Sequence, residues 1–320
     1  MILMQVGLGE FGMSWYTDIL LKADNFKKLI LVDSDPAVLN EAQKKDTTYK
    51  VVTTQDLDTA FQEKPDFVLN VTPPHAHRTI IEAALQRGIP VLTEKPISLD
   101  HADALAILQL SEKTGVPVMV AENYRYSSLA RRVRSIIESG AIGKIGTVHI
   151  HFFRNHHMTN YHRDLREPLL MDVAIHHLDL LRYFTGEEAE KVIGYTFNPS
   201  WSWYTGNAGA HFQIQMTGGI AAVYSGSLCS HQNETDWNGV WRLEGTRGIL
   251  FLEKDNITLA TTEERTTIPM TDSADSRRFV LNEFLASMRE NRPAETAIQD
   301  NLKTFEIAAR LLQQNTKEEY

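Results

Sequence analysis

The chain has 320 residues, 42% of them hydrophobic, and a formal net charge of −9. That length holds two domains with sizeable cores, the composition is globular, and the acidic balance argues against nucleic acid as a partner. No apolar run of about 18 residues occurs, no basic leader precedes the first strand, and the single cysteine, Cys229, excludes an internal disulfide or a thiolate zinc site; a cytoplasmic protein without membrane contact or metal is expected.

Residues 1–121 alternate short apolar runs with amphipathic stretches, the pattern of an α/β domain built on a doubly wound parallel sheet. The expected strands are Ile2 to Val6, Leu29 to Val32, Lys50 to Val52, Phe67 to Val71, Val91 to Thr93 and Val118 to Ala121. Between the last two, Ser98 is expected to open a helix that Gly115 closes. Residues 122–320 change character and read as a second α/β domain with a large open, mostly antiparallel sheet. A helix from Leu129 to Ser139 precedes a long alternating strand, Ile145 to Phe153, and a helix from Leu169 to Thr185 follows it. Then come strands Lys191 to Phe197, Ala208 to Met216, Ile220 to Leu228, Val240 to Glu244, Ile249 to Glu253 and Ile257 to Thr261. Turn signals stand at Thr217-Gly218-Gly219, Thr246-Arg247-Gly248 and Asp255-Asn256, and helices over 275–289 and 297–314 finish the chain.

Four motifs carry chemistry. Gly7-Leu8-Gly9-Glu10-Phe11-Gly12 follows the first strand, opens a helix and is followed by Asp33 at the end of the next strand. That is the context a dinucleotide fingerprint requires. Gly7 permits the tight turn, Gly9 the approach of a pyrophosphate and Gly12 close helix packing. Asp33 accepts from ribose hydroxyls and repels a 2′-phosphate, which favours NAD over NADP. The second motif, Asn70-Val71-Thr72-Pro73-Pro74-His75-Ala76-His77, ends the fourth strand in a stiff loop. Thr72 and Pro73 are expected under the cofactor, and His77 is expected to be structural more than catalytic, near the same cofactor.

The third is Glu94-Lys95-Pro96 at the end of the fifth strand, where ligand crevices of open α/β sheets lie. Lys95 is placed near the nicotinamide, where it hydrogen-bonds a substrate hydroxyl and stabilises alkoxide character, with Glu94 orienting it; both are expected among the cofactor contacts as well. In the fourth, Asp172, His176 and Asp179 stand at i, i+4 and i+7, one face of a helix. His176 suits a general base and Asp172 a substrate or orienting contact; His177 is expected to pack.

These motifs, with Glu122-Asn123-Tyr124-Arg125-Tyr126, occur in the order and spacing of the glucose-fructose oxidoreductase / inositol dehydrogenase (Gfo/Idh/MocA) family, which the chain resembles over essentially its whole length. The resemblance implies a Rossmann domain, a sheet-mediated homodimer or homotetramer, and Lys95, Asp172 and His176 as the catalytic set. It also implies that Asn123 and Arg125 lie near the nicotinamide and the interdomain joint, and that a secondary alcohol of a sugar or cyclitol is oxidised. Many members carry small glycine-rich residues before the Asp; this chain has Glu167-Pro168-Leu169-Leu170-Met171 and Ala174, so its substrate pocket is expected to differ in shape. Substrate contacts are expected from Arg154, Tyr161 and the neighbouring histidines, with Trp201-Ser202-Trp203-Tyr204 either overhanging the pocket or filling a subunit interface. Arg163 or Arg166 leaves a sugar acid open as substrate. Two other classes remain: an NAD-dependent glycosidase acting by transient oxidation and elimination, and a non-catalytic dinucleotide-binding sensor.

Overall fold

The computed structural model describes residues 1–158, 160–254, 256–270 and 274–315. Asp255, half of the expected Asp255-Asn256 turn, lies outside the described residues. The chain forms two compact units: Met1–Glu122 with Arg277–Leu302, and Asn123–Ser276 with Lys303–Tyr320. Among the described residues no helix is long and apolar enough to cross a membrane.

In the first unit, strands β1 (Ile2–Val6), β2 (Lys28–Val32), β3 (Lys50–Thr54), β4 (Phe67–Asn70), β5 (Val91–Thr93) and β6 (Val118–Val120) alternate with helices α1 (Glu10–Ser14), α2 (Pro36–Gln43), α3 (Leu57–Gln62), α4 (Pro74–Leu85) and α5 (His101–Thr114). The six strands run in the order β3-β2-β1-β4-β5-β6, and every pair is parallel. Helices cover both faces, so the strands are apolar runs instead of alternating ones: Leu29 to Val32 and Phe67 to Leu69 are buried throughout. The strand order reverses between β1 and β4, the switch point beside which such sheets bind ligands.

Helix starts follow local chemistry. Asp35 caps α2 by accepting from the Ala37 N–H at 2.8 Å, with Pro36 at the first position. Asp100 caps α5 through the N–H groups of Ala102 and Asp103. The start expected at Ser98 is therefore corrected: a carboxylate nearer the apolar stripe takes the cap, and the Ser98 hydroxyl accepts from the Asp100 N–H at 3.0 Å instead. Gly115 ends α5 at φ 68°, as expected.

The second unit is built on eight strands: β7 (Ile145–Phe153), β8 (Ala189–Phe197), β9 (Gly209–Met216), β10 (Ala221–Ser227), β11 (Val240–Gly245), β12 (Gly248–Glu253), β13 (Asn256–Thr261) and β14 (Arg265–Pro269). Their order is β14-β13-β12-β11-β7-β10-β9-β8, antiparallel at each pairing except β7 with β10. Along β7, Val148, Ile150 and Phe152 are buried while His149 and His151 are exposed, the alternation of a sheet covered on one face. Helices α6 (Ser128–Glu138) and α7 (Ile175–Thr185) belong to this unit.

Two last helices, α8 (Ser276–Glu290) and α9 (Ile298–Asn315), close the chain. The sequence division at residue 121 assigns both to the second domain, but Arg277–Leu302 belongs to the first unit. The reason is edge chemistry. β6 ends the parallel sheet, and its backbone is satisfied by this returning segment: the Val120 N–H donates to the Thr296 carbonyl at 2.9 Å, the Thr296 hydroxyl donates to the Val120 carbonyl at 2.6 Å, and Met119 bridges Ala297. From α8, Phe284 packs its ring 5.2 Å from that of Phe67.

Candidate active site

In the first unit, three loops follow the carboxyl ends of β1, β4 and β5. Gly7 takes φ 94°, open to glycine alone at low cost, and a Cβ there would lie 2.6 Å from the Val71 carbonyl oxygen. A Cβ on Gly12 would lie 2.3 Å from the Gly7 carbonyl oxygen. Gly9 differs: a Cβ there meets nothing within 4 Å. Two glycines are thus required by the protein's own backbone, and the third keeps space clear outside it, where the fingerprint receives a pyrophosphate. The residues present fit a dinucleotide. Asp33 ties the next strand to this loop, accepting from the Leu8 N–H at 2.7 Å and the Asp35 N–H at 2.9 Å. Glu10 and Phe11 are exposed at the start of α1.

Behind these loops lies a polar layer. His77 is fully buried, its Nε2 2.8 Å from the Thr72 carbonyl oxygen and its Nδ1 3.0 Å from that of Pro96. Burial outweighs these carbonyls and pushes its pKa down to about 4. The neutral ring has one N–H, so it donates to one of these two carbonyls and packs against the other, between the loop of Thr72 and Pro73 and that of Lys95. Glu94, 7% exposed, accepts from the Trp15 indole N–H at 2.7 Å and the Lys95 N–H at 3.2 Å. Desolvation pushes its carboxyl up to about 7. Both side chains were expected among the cofactor contacts; in this structure their polar atoms face groups of their own unit, where they hold loops in place. Trp15 is likewise buried. Lys95 stands half-buried between the buried pairs Thr93-Glu94 and Pro96-Ile97, and its bond to Pro96 is cis.

Sequence reasoning missed one member of this layer. Arg277 lies with its guanidinium 5.1 Å from the ring centroid of Phe11 and 5.5 Å from that of Trp15, and it donates to the Ser14 hydroxyl at 2.7 Å. Nothing near the fingerprint announces an arginine so distant in the chain.

In the second unit, Leu169–Ala174 forms a π-helical turn that runs directly into α7. Asp172 lies in that π turn and His176 and Asp179 in α7, so the regular helix expected to carry all three on one face is interrupted before His176. The three differ in chemistry as well. Asp172 is partly exposed, with His162 Nε2 4.0 Å from its carboxylate. His176 is 4% exposed and lies face to face with Tyr124, ring centroids 4.1 Å apart and planes 4° from parallel. Asp179 is a core group: Arg125 Nε donates to it at 2.8 Å, Arg125 Nη2 donates to its other oxygen, and the Thr304 hydroxyl donates at 3.2 Å.

His177 packs, as expected. Its Nε2 lies 3.0 Å from the Trp237 carbonyl oxygen and its Nδ1 3.1 Å from the Tyr224 hydroxyl. The carbonyl only accepts, so Nε2 carries the proton and Nδ1 accepts from the tyrosine; a neutral ring satisfies both. Burial pushes its pKa down to about 4. That value is below the unfolded one, so the stability it contributes is complete above about pH 6.5 and is lost as pH falls toward 4, a loss of about 3 kcal/mol. Urea unfolding of the full chain followed from pH 7 to 4.5 should therefore show a flatter decline for His177→Gln than for the wild type. Parallel declines would remove His177 as a source of acid sensitivity.

The expected substrate contacts divide. Arg154 is held on one side: Nη1 donates to the Thr235 carbonyl at 2.8 Å and the guanidinium sits 4.8 Å from the Trp237 ring centroid, while Nε lies 3.1 Å from Glu234 without making a hydrogen bond. Tyr161 lies on His162, centroids 3.9 Å apart, within reach of Asp172 through that imidazole. Trp203 stacks on His157 at 3.8 Å and, like Tyr204, donates to the His156 carbonyl, so this loop pins the segment after β7. Trp201 is 56% exposed. Asn123 donates its side-chain amide to the Ser276 hydroxyl at 3.2 Å.

Two family models match the chain: an oxidoreductase family with a NAD-binding Rossmann fold over residues 3–122, and a GFO/IDH/MocA C-terminal domain over residues 130–251. The chain belongs to the Gfo/Idh/MocA family of oxidoreductases. Among its Gfo/Idh/MocA relatives is the D-apiose dehydrogenase of Paraburkholderia graminis, 26% identical over 262 residues, which span 77% of this chain and 69% of that one. The inositol 2-dehydrogenase of Renibacterium salmoninarum is 29% identical over 190 residues, 58% of this chain and 55% of that one. In fold, an Agrobacterium radiobacter oxidoreductase crystallised with NAD+, L-tartaric acid and magnesium superposes with a TM-score of 0.87 at 21% identity, covering 98% of this chain and 96% of that one.

Proposed function

We propose that the chain is an NAD-dependent dehydrogenase that moves hydride between the nicotinamide and a secondary alcohol of a sugar, cyclitol or sugar derivative. The observation that carries this is Lys95, the one half-buried position in the buried run Thr93–Ser98, fixed beside the glycine loop by the Glu94 and His77 layer behind it. Bound NAD supplies the hydride acceptor. Lys95 hydrogen-bonds the substrate oxygen and stabilises its developing negative charge; His176 takes the hydroxyl proton, and Asp172 orients the substrate. Relatives named as D-apiose and inositol dehydrogenases support the substrate class. Arg154 donates to the Thr235 carbonyl and lies beside Glu234, which lowers its net charge toward a substrate.

Asp33 is held by two backbone N–H groups and retains lone pairs for ribose hydroxyls while repelling a 2′-phosphate, so NAD is the preferred dinucleotide. The test is a panel of sugars, cyclitols and sugar acids offered with NAD and with NADP, following reduced cofactor. NADH formation with a neutral polyol is the expected result. Faster turnover with NADP would overturn the role of Asp33. Release of a leaving group without net NADH would replace the dehydrogenase by a glycosidase, and bound NAD without any turnover would replace it by a sensor.

A further inference from the structure

We propose that Tyr124 is a positioning residue for His176, fixing the plane of the imidazole and favouring its protonated form. The proposal rests on the reading of His176 as the base. No motif singles out this tyrosine for a task, and its place in the structure does. The short 3-10 turn Asn123–Tyr126 is held by Arg125, whose guanidinium is locked onto Asp179 of α7. The neighbouring Tyr124 is thereby laid flat on His176, one turn earlier on the same helix, with centroids 4.1 Å apart and planes 4° from parallel.

Held parallel at this distance, a neutral imidazole and the phenol ring attract one another mainly through dispersion. Protonation adds to this, because the imidazolium charge is attracted by the negative face of the phenol ring. Tyr124 therefore stabilises the ring more after it has accepted a proton than before. It also denies the imidazole free rotation about its last side-chain bond, so the nitrogen that receives the proton keeps one direction. His177, the next residue, has the opposite design: its ring lies 5.8 Å from Tyr224 in tilted geometry, is fully buried, and is held neutral by its two hydrogen bonds.

Charged and titratable groups stand near the stacked pair on several elements. The helix itself carries Asp172, with His162 at 4.0 Å, the neutral His177, and Asp179, which Arg125 of the 3-10 turn pairs. From the sheet, Tyr224 faces His177, and burial raises its pKa so that it stays a neutral phenol.

The experiment separates ring charge from ring shape. Full-length protein labelled with 15N-histidine is titrated by NMR without substrate, and the His176 signals are identified by their loss in His176→Gln. Tyr124 is replaced by Phe and by phenylalanines carrying one, three and five ring fluorines, which keep the shape while weakening and then reversing the quadrupole. Tyr124→Phe is expected to titrate close to the wild type. The His176 midpoint is then expected to fall in step with fluorination, by about half a pH unit or more for the pentafluoro ring, the size of a partly desolvated cation–π contact. A midpoint indifferent to fluorination across the variants that fold overturns the proposal, as does a Tyr124→Phe midpoint displaced as far as the pentafluoro one. Turnover of His176→Gln on the productive substrate tests the separate reading of His176 as base, so the two can fail independently.

Discussion

Lys95→Ala is expected to lower kcat by about 10²–10⁴-fold while leaving the Kd for NAD close to that of the wild type. Lys95 is the half-buried member of a run whose neighbours Glu94, Pro96 and Ile97 are buried, so alanine leaves that buried run in place. The groups that fit the dinucleotide lie on the loops after β1 and β2, held by Gly7, Gly12 and the Asp33 carboxylate, and none of them depends on the ammonium. Dinucleotide binding measured by protein fluorescence and turnover measured on the productive polyol should therefore separate. Equal loss of both would show that Lys95 holds the cofactor and not the reacting oxygen. Lys95→Arg should rescue little, since a planar fork does not reproduce a compact ammonium at the same place.

Asp179→Ala should cost about 3–5 kcal/mol of stability, because it removes the carboxylate to which the buried Arg125 guanidinium donates twice. Arg125 is 6% exposed and Asp179 1% exposed, so water cannot replace the lost carboxylate. The damage extends to Thr304, whose hydroxyl donates to Asp179 and accepts from Arg182 Nη1 at 2.9 Å. Thermal unfolding should fall by roughly 10 °C for a protein of this size. The double replacement Arg125→Leu/Asp179→Leu should recover much of the loss, because the penalty lies in an unpaired buried charge more than in the absence of the pair. A single variant within about 1 kcal/mol of wild type would mean that the pair is solvated in solution.

Much of the fold was legible because its strands differ in how many faces they bury. Phe67 to Leu69 is apolar throughout, and Ile145 to Phe153 alternates, which is enough to tell the parallel sheet from the antiparallel one. β14 escaped because Arg265, Thr266, Thr267 and Pro269 are exposed; it is a strand only by pairing with β13, from Ala260 opposite Arg265 to Asn256 opposite Pro269. The glycine fingerprint was legible because Gly7 and Gly12 each have a local backbone reason and Gly9 keeps space clear outside the loop. Asp179 was not, since spacing placed it with Asp172 and His176 while its partner, Arg125, stands on a separate turn. The same holds for Trp15 and Glu94, and for Tyr124 and His176. Each pair is far apart in sequence, and only tertiary contact distinguishes a working side chain from one that props it.

The segment that closes β6 has a consequence for the making of the protein. Strands β1 to β6 leave the ribosome first, and the residues that complete their unit, Thr296, Ala297 and Phe284, leave after the whole of the second sheet. Throughout that interval the nascent nucleotide-binding unit carries a bare strand edge, the part of a sheet most prone to pair with a neighbouring chain. Fragments that stop near residue 122 should inherit the same exposed edge for good.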